Sequence, residues 1–171
     1  MALTPINVHH RGHARRAGLA ARKWENRQAD ACFIDDTGGF GSSWIDNLRR
    51  LGREPIGVHF AGRATDPRYD NKRTEMYFEA VDWIRRGGQL PPGQASHELI
   101  AALSQTTYSF RGDRLLLEPK EQVKARLGYS PDDADAFVLT FAQPVAAGGG
   151  YGGPRGRPGR ALTAYDPLAG W

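Results

Sequence analysis

Ala31-Cys32-Phe33-Ile34-Asp35-Asp36-Thr37-Gly38-Gly39-Phe40-Gly41 is the stretch on which the reading of this chain turns. Four apolar residues run into two carboxylates and then a glycine cluster. A short apolar run bounded by turn residues predicts a buried strand. Its acids then stand at the carboxyl end, the edge where open α/β sheets form their sites. Reading outward, Ser42 or Ser43 is placed to cap a helix with Trp44, Ile45, Leu48 and Leu51 on one face. Gly52 is placed to end it. Residues 56–60 predict the next strand. Strand, turn, helix and strand in that order predict a parallel pair joined by a crossover.

A second acidic motif lies far along the chain: Ser130-Pro131-Asp132-Asp133-Ala134-Asp135-Ala136-Phe137, running into Val138-Leu139-Thr140-Phe141-Ala142. It predicts a helix over 131–142 that opens with three carboxylates. Acids in a first helical turn are favoured by the dipole whatever their function. Three exceed what a cap needs, however, and Asp132 and Asp135 face the same way. The stretch beyond is almost wholly apolar, so the helix packs inside with its start projecting from the core. A strand end and a helix start can meet in space. Acids brought together repel unless a positive charge separates them, and a hard divalent cation is the natural filler.

Between these motifs, residues 71–86 predict a helix started by Asn71 or Thr74, with Met76, Ala80, Val81 and Ile84 as its apolar stripe and Gly87-Gly88 as its stop. Ser96 caps a further helix. Residues 106–110 alternate aromatic and polar side chains like a half-buried strand, and 114–117 pair back on them across Gly112-Asp113. Residues 121–127 predict a short helix and 14–27 an N-terminal one.

The 171 residues suffice for one domain with a core. No apolar run reaches the length of a membrane span, and no signal peptide is evident. The single cysteine, Cys32, forms no internal disulfide and reads as a small buried residue. This fits a cytoplasmic protein. Net charge is +4, concentrated in Arg11, Arg15, Arg16, Arg22, Lys23 and Arg27 and in the tail residues Arg155, Arg157 and Arg160. Such basic blocks suit a polyanion. His9, His10 and His13 cluster without a nearby Cys or acid to complete a metal site. Lys120, Lys124 and Arg126 precede the acidic helix, where they can steer backbone phosphates. After Pro144 the Gly/Pro/Arg-rich composition cannot build a core. No Gly-x-x-x-x-Gly-Lys-Ser/Thr string occurs, so no ATP site is expected.

From about Ala29 to Ala142 the chain resembles the C-terminal nuclease domain of the large terminase subunit of tailed bacteriophages and prophages. The resemblance rests on both acidic motifs and on Gly57-Val58-His59-Phe60-Ala61-Gly62, Tyr69-Asp70-Asn71-Lys72-Arg73-Thr74-Glu75-Met76, Leu117-Glu118-Pro119-Lys120 and Arg126-Leu127-Gly128-Tyr129, in the family's order. It implies an α/β ribonuclease H-like fold, a central mixed sheet flanked by helices, over 29–143. Residues 1–28 match the family poorly, and 144–171 form a tail. Asp35 matches the family's catalytic acid on this strand. The last metal-binding acid falls among Asp132, Asp133 and Asp135, with Asp132 and Asp135 favoured. The implied activity is endonucleolytic cleavage of double-stranded viral DNA during packaging. Two magnesium or manganese ions about 4 Å apart would sit between the carboxylates. Arg73, within a family motif, joins Lys120, Lys124 and Arg126 as an expected DNA contact. Implied partners are a small terminase subunit, a portal ring and other copies of the large subunit.

The family carries a further catalytic aspartate on an upstream first strand. The acids before Asp35 are Glu25 and Asp30, and neither ends an apolar strand. A missing or diverged first strand is therefore expected, with weak cleavage by residues 1–171 alone. Two other readings fit the same residues: a resolvase- or transposase-type ribonuclease H-like nuclease, and an inactive DNA-binding remnant.

Overall fold

A computed structural model describes residues 13–90 and 93–145. The remaining N-terminal residues, with His9 and His10, and most of the tail beyond Pro144 lie outside the described residues. The elements are α1 (His13–Asn26), β1 (Phe33–Asp35), α2 (Ser42–Arg50), β2 (Ile56–Val58), α3 (Lys72–Arg85), α4 (Gln94–Gln105), β3 (Tyr108–Arg111), β4 (Arg114–Leu117), α5 (Lys120–Leu127) and α6 (Asp132–Val138). Single turns of 3₁₀ helix follow β1 (Thr37–Gly39) and α6 (Leu139–Phe141). No helix among the described residues is long and apolar enough to cross a membrane.

β1 and β2 pair in parallel, with Phe33 opposite Ile56, Ile34 opposite Gly57 and Asp35 opposite Val58. α2 makes the connection and buries Ile45 and Leu48. It lies so close to the strands that a Cβ on Gly57 would sit 3.0 Å from Ile45 Cδ1. The turn after β1 is equally tight: a Cβ on Gly41 would meet the Asp35 carbonyl at 2.5 Å. Gly41, not a serine, occupies the cap position of α2, and the Ser42 hydroxyl donates to Asp36 Oδ1 instead. β3 and β4 form an antiparallel hairpin. The expected central mixed sheet is thus present as a parallel pair and a hairpin, with one parallel bridge from Tyr69 to Leu115 on β4.

The core gathers Val58 and Phe60 from the β2 end, Met76, Tyr77 and Ala80 from α3, Leu99 and Ala102 from α4, Leu117 from β4, and Ala134, Phe137 and Val138 from α6. Phe137 is completely buried and meets Trp83 and Phe141 edge-on, with ring centroids 6.0 and 5.4 Å away. Such edge contacts add about 0.5–1.5 kcal/mol to the burial of the rings. α6 tightens into the 3₁₀ turn where it reaches β1, so the expected helix over 131–142 is helical in two pitches. α1 packs on α2 through Ala17 and Trp24. Trp24 Nε1 donates to the Ala29 carbonyl, and Arg53 pairs with Glu25 beside it. Cys32 is half-buried rather than fully buried as expected, and that burial still pushes its thiol up to about 11.

Two expectations about packing are corrected. The α3 stripe does not continue through Val81 and Ile84, which are exposed. Instead Arg73, Thr74, Glu75, Met76 and Tyr77 are buried in succession, because the first half of α3 runs between β4 and α6, while the second half keeps only Ala80 and Trp83 against the core. β3 is exposed along its whole length. Its Tyr108 meets Phe78 and Phe110 edge-on, and Phe78 in turn stacks on the buried Tyr69, but nothing covers the outer side of Tyr108 and Phe110, which stay exposed.

Candidate active site

Asp35 ends β1 and is exposed. Its Oδ1 accepts two hydrogen bonds from Thr37, from the amide at 2.9 Å and from the hydroxyl at 2.5 Å. This local turn fixes the carboxylate in place. Asp36 faces the other way: its amide extends the ladder to the Val58 carbonyl, and its side chain turns toward α2 and Gly57. The Thr37 hydroxyl also accepts the Phe60 amide at 2.9 Å, which ties the turn to the chain just past β2.

Asp135, in the first turn of α6, is buried at 5% exposure. Its Oδ1 accepts from Arg73 Nε at 3.0 Å and from the Tyr77 hydroxyl at 2.9 Å. Its Oδ2 is buried without a hydrogen bond. Lys120 Nζ forms an ion pair with that oxygen at 2.9 Å and with Asp132 Oδ1 at 2.7 Å. Burial pulls the Lys120 pKa down, but Asp135 and Asp132 outweigh it and leave it raised. Burial and the adjacent Asp135 carboxylate drive the Tyr77 hydroxyl far above its usual range, so it is a fixed donor. Arg73 also donates to the Glu118 carbonyl and lies 4.9 Å over the Tyr77 ring.

A continuous chain of bonds links Asp35 to Asp135 through the intervening elements. Asp35 holds Thr37, and Thr37 accepts from the Phe60 amide. The Phe60 carbonyl accepts from the Arg73 amide at 2.9 Å. Arg73 in turn holds Asp135. α3 presents Arg73 there because Asn71 caps the helix, its side chain accepting from the Thr74 amide. The Thr74 hydroxyl accepts the Leu117 amide and thereby fixes β4 and Lys120 beyond it.

The donor set is all oxygen, the kind a hard cation takes. Lys120 is a stand-in for such a cation, because its ammonium already bridges Asp132 and Asp135. That pair therefore fits a cation. Asp133 is half-buried in the same turn. Asp35 does not join them in a single cluster, and no group of three or more metal-binding side chains is assembled among the described residues.

The basic residues expected on DNA are differently disposed. Arg73 is buried at 8% exposure and holds Asp135, so it presents no charge to a polyanion. Lys120 spans the acids. Arg126 forks onto Glu118 at 3.1 and 2.6 Å and reaches the Gln105 carbonyl. Lys124 is exposed on α5. Sequence reasoning missed Tyr77 and Thr37. The four-residue spacing of Arg73 and Tyr77, which puts them on one helix face, was the available signal.

The Arg126 fork lowers the Glu118 pKa from 4.5 to about 2. A carboxylate held below its unfolded value contributes stability that is complete above the unfolded pKa and lost as pH falls through the folded one. Thermal stability should therefore decline as pH drops from about 4.5 to about 2. Arg126→Ala should make that decline shallower in a series of melts. An unchanged pH profile in the variant would show that the fork does not hold Glu118 ionised.

The same arrangement of elements occurs in solved structures of the large terminase subunit gp2 of bacterial virus Sf6. A lysine-to-alanine mutant of its nuclease domain with manganese aligns with a TM-score of 0.61 and 20% identity, over 77% of this chain and 74% of that one. The fold is that of a terminase nuclease domain. The same mutant with calcium gives 0.61 and 19% identity over 77% and 73% of the two chains. A further structure of the Sf6 gp2 nuclease domain gives 0.58 and 19% over 78% and 73%. At this identity the likeness is one of fold, and it matches the ribonuclease H-like α/β class expected from the motifs. No protein-family model matches the sequence. No curated protein matches it.

Proposed function

We propose that this chain is a nuclease of the terminase large-subunit type, hydrolysing phosphodiester bonds of double-stranded DNA during viral genome packaging in the host cytoplasm. The observation that supports it best is the hydrogen-bonded chain joining Asp35 to Asp135 in a fold shared with terminase nuclease domains. Asp35, Asp132 and Asp135, with Asp133 beside them, would hold magnesium or manganese. A bound divalent cation supplies charge stabilisation at a reacting phosphate. Thr37 and Tyr77 orient the carboxylates, Arg73 pairs with Asp135, and Lys120 offsets the charge of the acid pair. Lys124 would face the backbone of the DNA. A small terminase subunit, a portal ring and further large subunits are the partners this reading requires.

The second reading, a remnant that binds DNA and cuts nothing, draws on the same Lys120 bridge and on the lack of a three-acid group among the described residues. Supercoiled plasmid separates the two. Nicking and linearisation are expected with manganese, more slowly with magnesium, and not at all with EDTA. Intact plasmid in both metals at protein excess, or cleavage that survives EDTA, would overturn the nuclease reading.

A further inference from the structure

Most basic side chains around the acidic edge already have an acidic partner. Lys120 holds Asp132 and Asp135, Arg73 holds Asp135, Lys72 holds Glu75 at 2.6 Å, and Arg126 holds Glu118. Arg63 and His59 differ. Both are exposed, and among the described residues neither side chain has a hydrogen-bond or ion-pair partner. They line one pocket of about 250 Å³ between β2, the loop after it, Lys72 and Gln143. That volume is several times the roughly 30 Å³ share of one water, enough for a phosphate group and some of its waters.

The loop is built to hold this arrangement. The Gly62 amide donates to the His59 carbonyl at 3.0 Å, and the Lys72 amide donates to the Gly62 carbonyl at 2.8 Å. A Cβ on Gly62 would stand 2.9 Å from the His59 carbonyl oxygen, so the turn depends on glycine. Glu75 adds no uncompensated negative charge, because Lys72 and the Asp66 amide occupy its oxygens. The pocket therefore offers one uncompensated guanidinium, an imidazole and the Gln143 amide. These groups recognise a phosphate, and the guanidinium fork matches its oxygens.

Its position gives the ligand. Asp35 pairs with Val58, and His59 follows Val58 at the same strand end. One strand spacing and one residue rise together put the His59 backbone roughly 6 Å from that of Asp35, on the scale of one nucleotide step along a DNA backbone. We propose that His59 and Arg63 form a subsite for the backbone phosphate next to the one at Asp35, a contact that sets register on DNA without reading its sequence. This rests on the nuclease reading above.

The test is duplex binding by fluorescence anisotropy in EDTA, with a short fluorescein-labelled duplex titrated at several salt concentrations. Arg63→Glu should weaken binding about tenfold at low salt and reduce the slope of log K against log salt by about one. His59→Ala should weaken it less, and Arg63→Gln should fall between the two. Arg63 is exposed, so melting temperatures should match the wild type; if Arg63→Glu alone melts early, Arg63→Gln and His59→Ala decide. Wild-type affinity and salt slope in these folded variants would overturn the subsite while plasmid cleavage by the unaltered chain kept the nuclease reading intact. Failure of the unaltered chain both to bind the duplex and to cut plasmid would overturn both.

Discussion

Replacing Arg73 with methionine should destabilise the protein by about 3–5 kcal/mol, the cost of breaking a buried ion pair from one side. Arg73 and Asp135 are both almost wholly buried, and the guanidinium also satisfies the Glu118 carbonyl. Removing it leaves that carbonyl without its donor. It also leaves Asp135 with the Tyr77 hydroxyl and Lys120, whose ammonium is partly exposed to solvent. Lys120 cushions the loss, so the lower end of the range is expected. Urea unfolding measures it. The double variant Arg73→Met, Asp135→Leu should recover much of the deficit, because exchanging a whole buried pair for apolar groups of similar size is often close to neutral. A cost below about 1 kcal/mol for Arg73→Met would show that the pair does not hold α3 to α6.

That pair marks the limit of what was legible in the sequence. β1 was readable because four apolar residues before two acids and a glycine cluster admit few other readings, and the Asn71 cap was readable because an Asx side chain satisfies the first amides of a helix. Both signals are local. Arg73 and Asp135 stand 62 residues apart, and nothing near either one announces the other. The same blindness misplaced α3: an apolar stripe through Val81 and Ile84 is good helical periodicity, yet burial followed the polar run Arg73–Thr74–Glu75, because tertiary partners satisfy those groups. β3 alternates as a half-buried strand should, but alternation cannot tell which strand of a hairpin receives a covering layer. At the site, the acids stood out by their number and placement. Their neutralisation by Lys120 did not, because a lysine that precedes an acidic helix is equally suited to a phosphate.

Asp35→Asn should separate catalysis from stability, and here the largest functional effect is expected. The Asp35 side chain is exposed, and its Oδ1 does no more than accept from Thr37. An asparagine carbonyl oxygen accepts the same two bonds, so the turn, the Thr37–Phe60 link and the melting temperature should remain, with a change within about 0.5 kcal/mol as for a benign surface substitution. What disappears is the negative charge. Under the nuclease reading that charge is one wall of the cation site, and removing one preorganised electrostatic group from such a site typically costs about a hundredfold or more in rate. Duplex binding should stay equal or tighten slightly, since a like charge beside the phosphates is gone. Asp135→Asn provides the contrast: it should lose cleavage and stability together, because Asp135 also neutralises Arg73. Plasmid cleavage by Asp35→Asn at the wild-type rate, with an unchanged melt, would remove Asp35 from the reaction and turn the search for the acids that serve it to Asp132, Asp133 and Asp135.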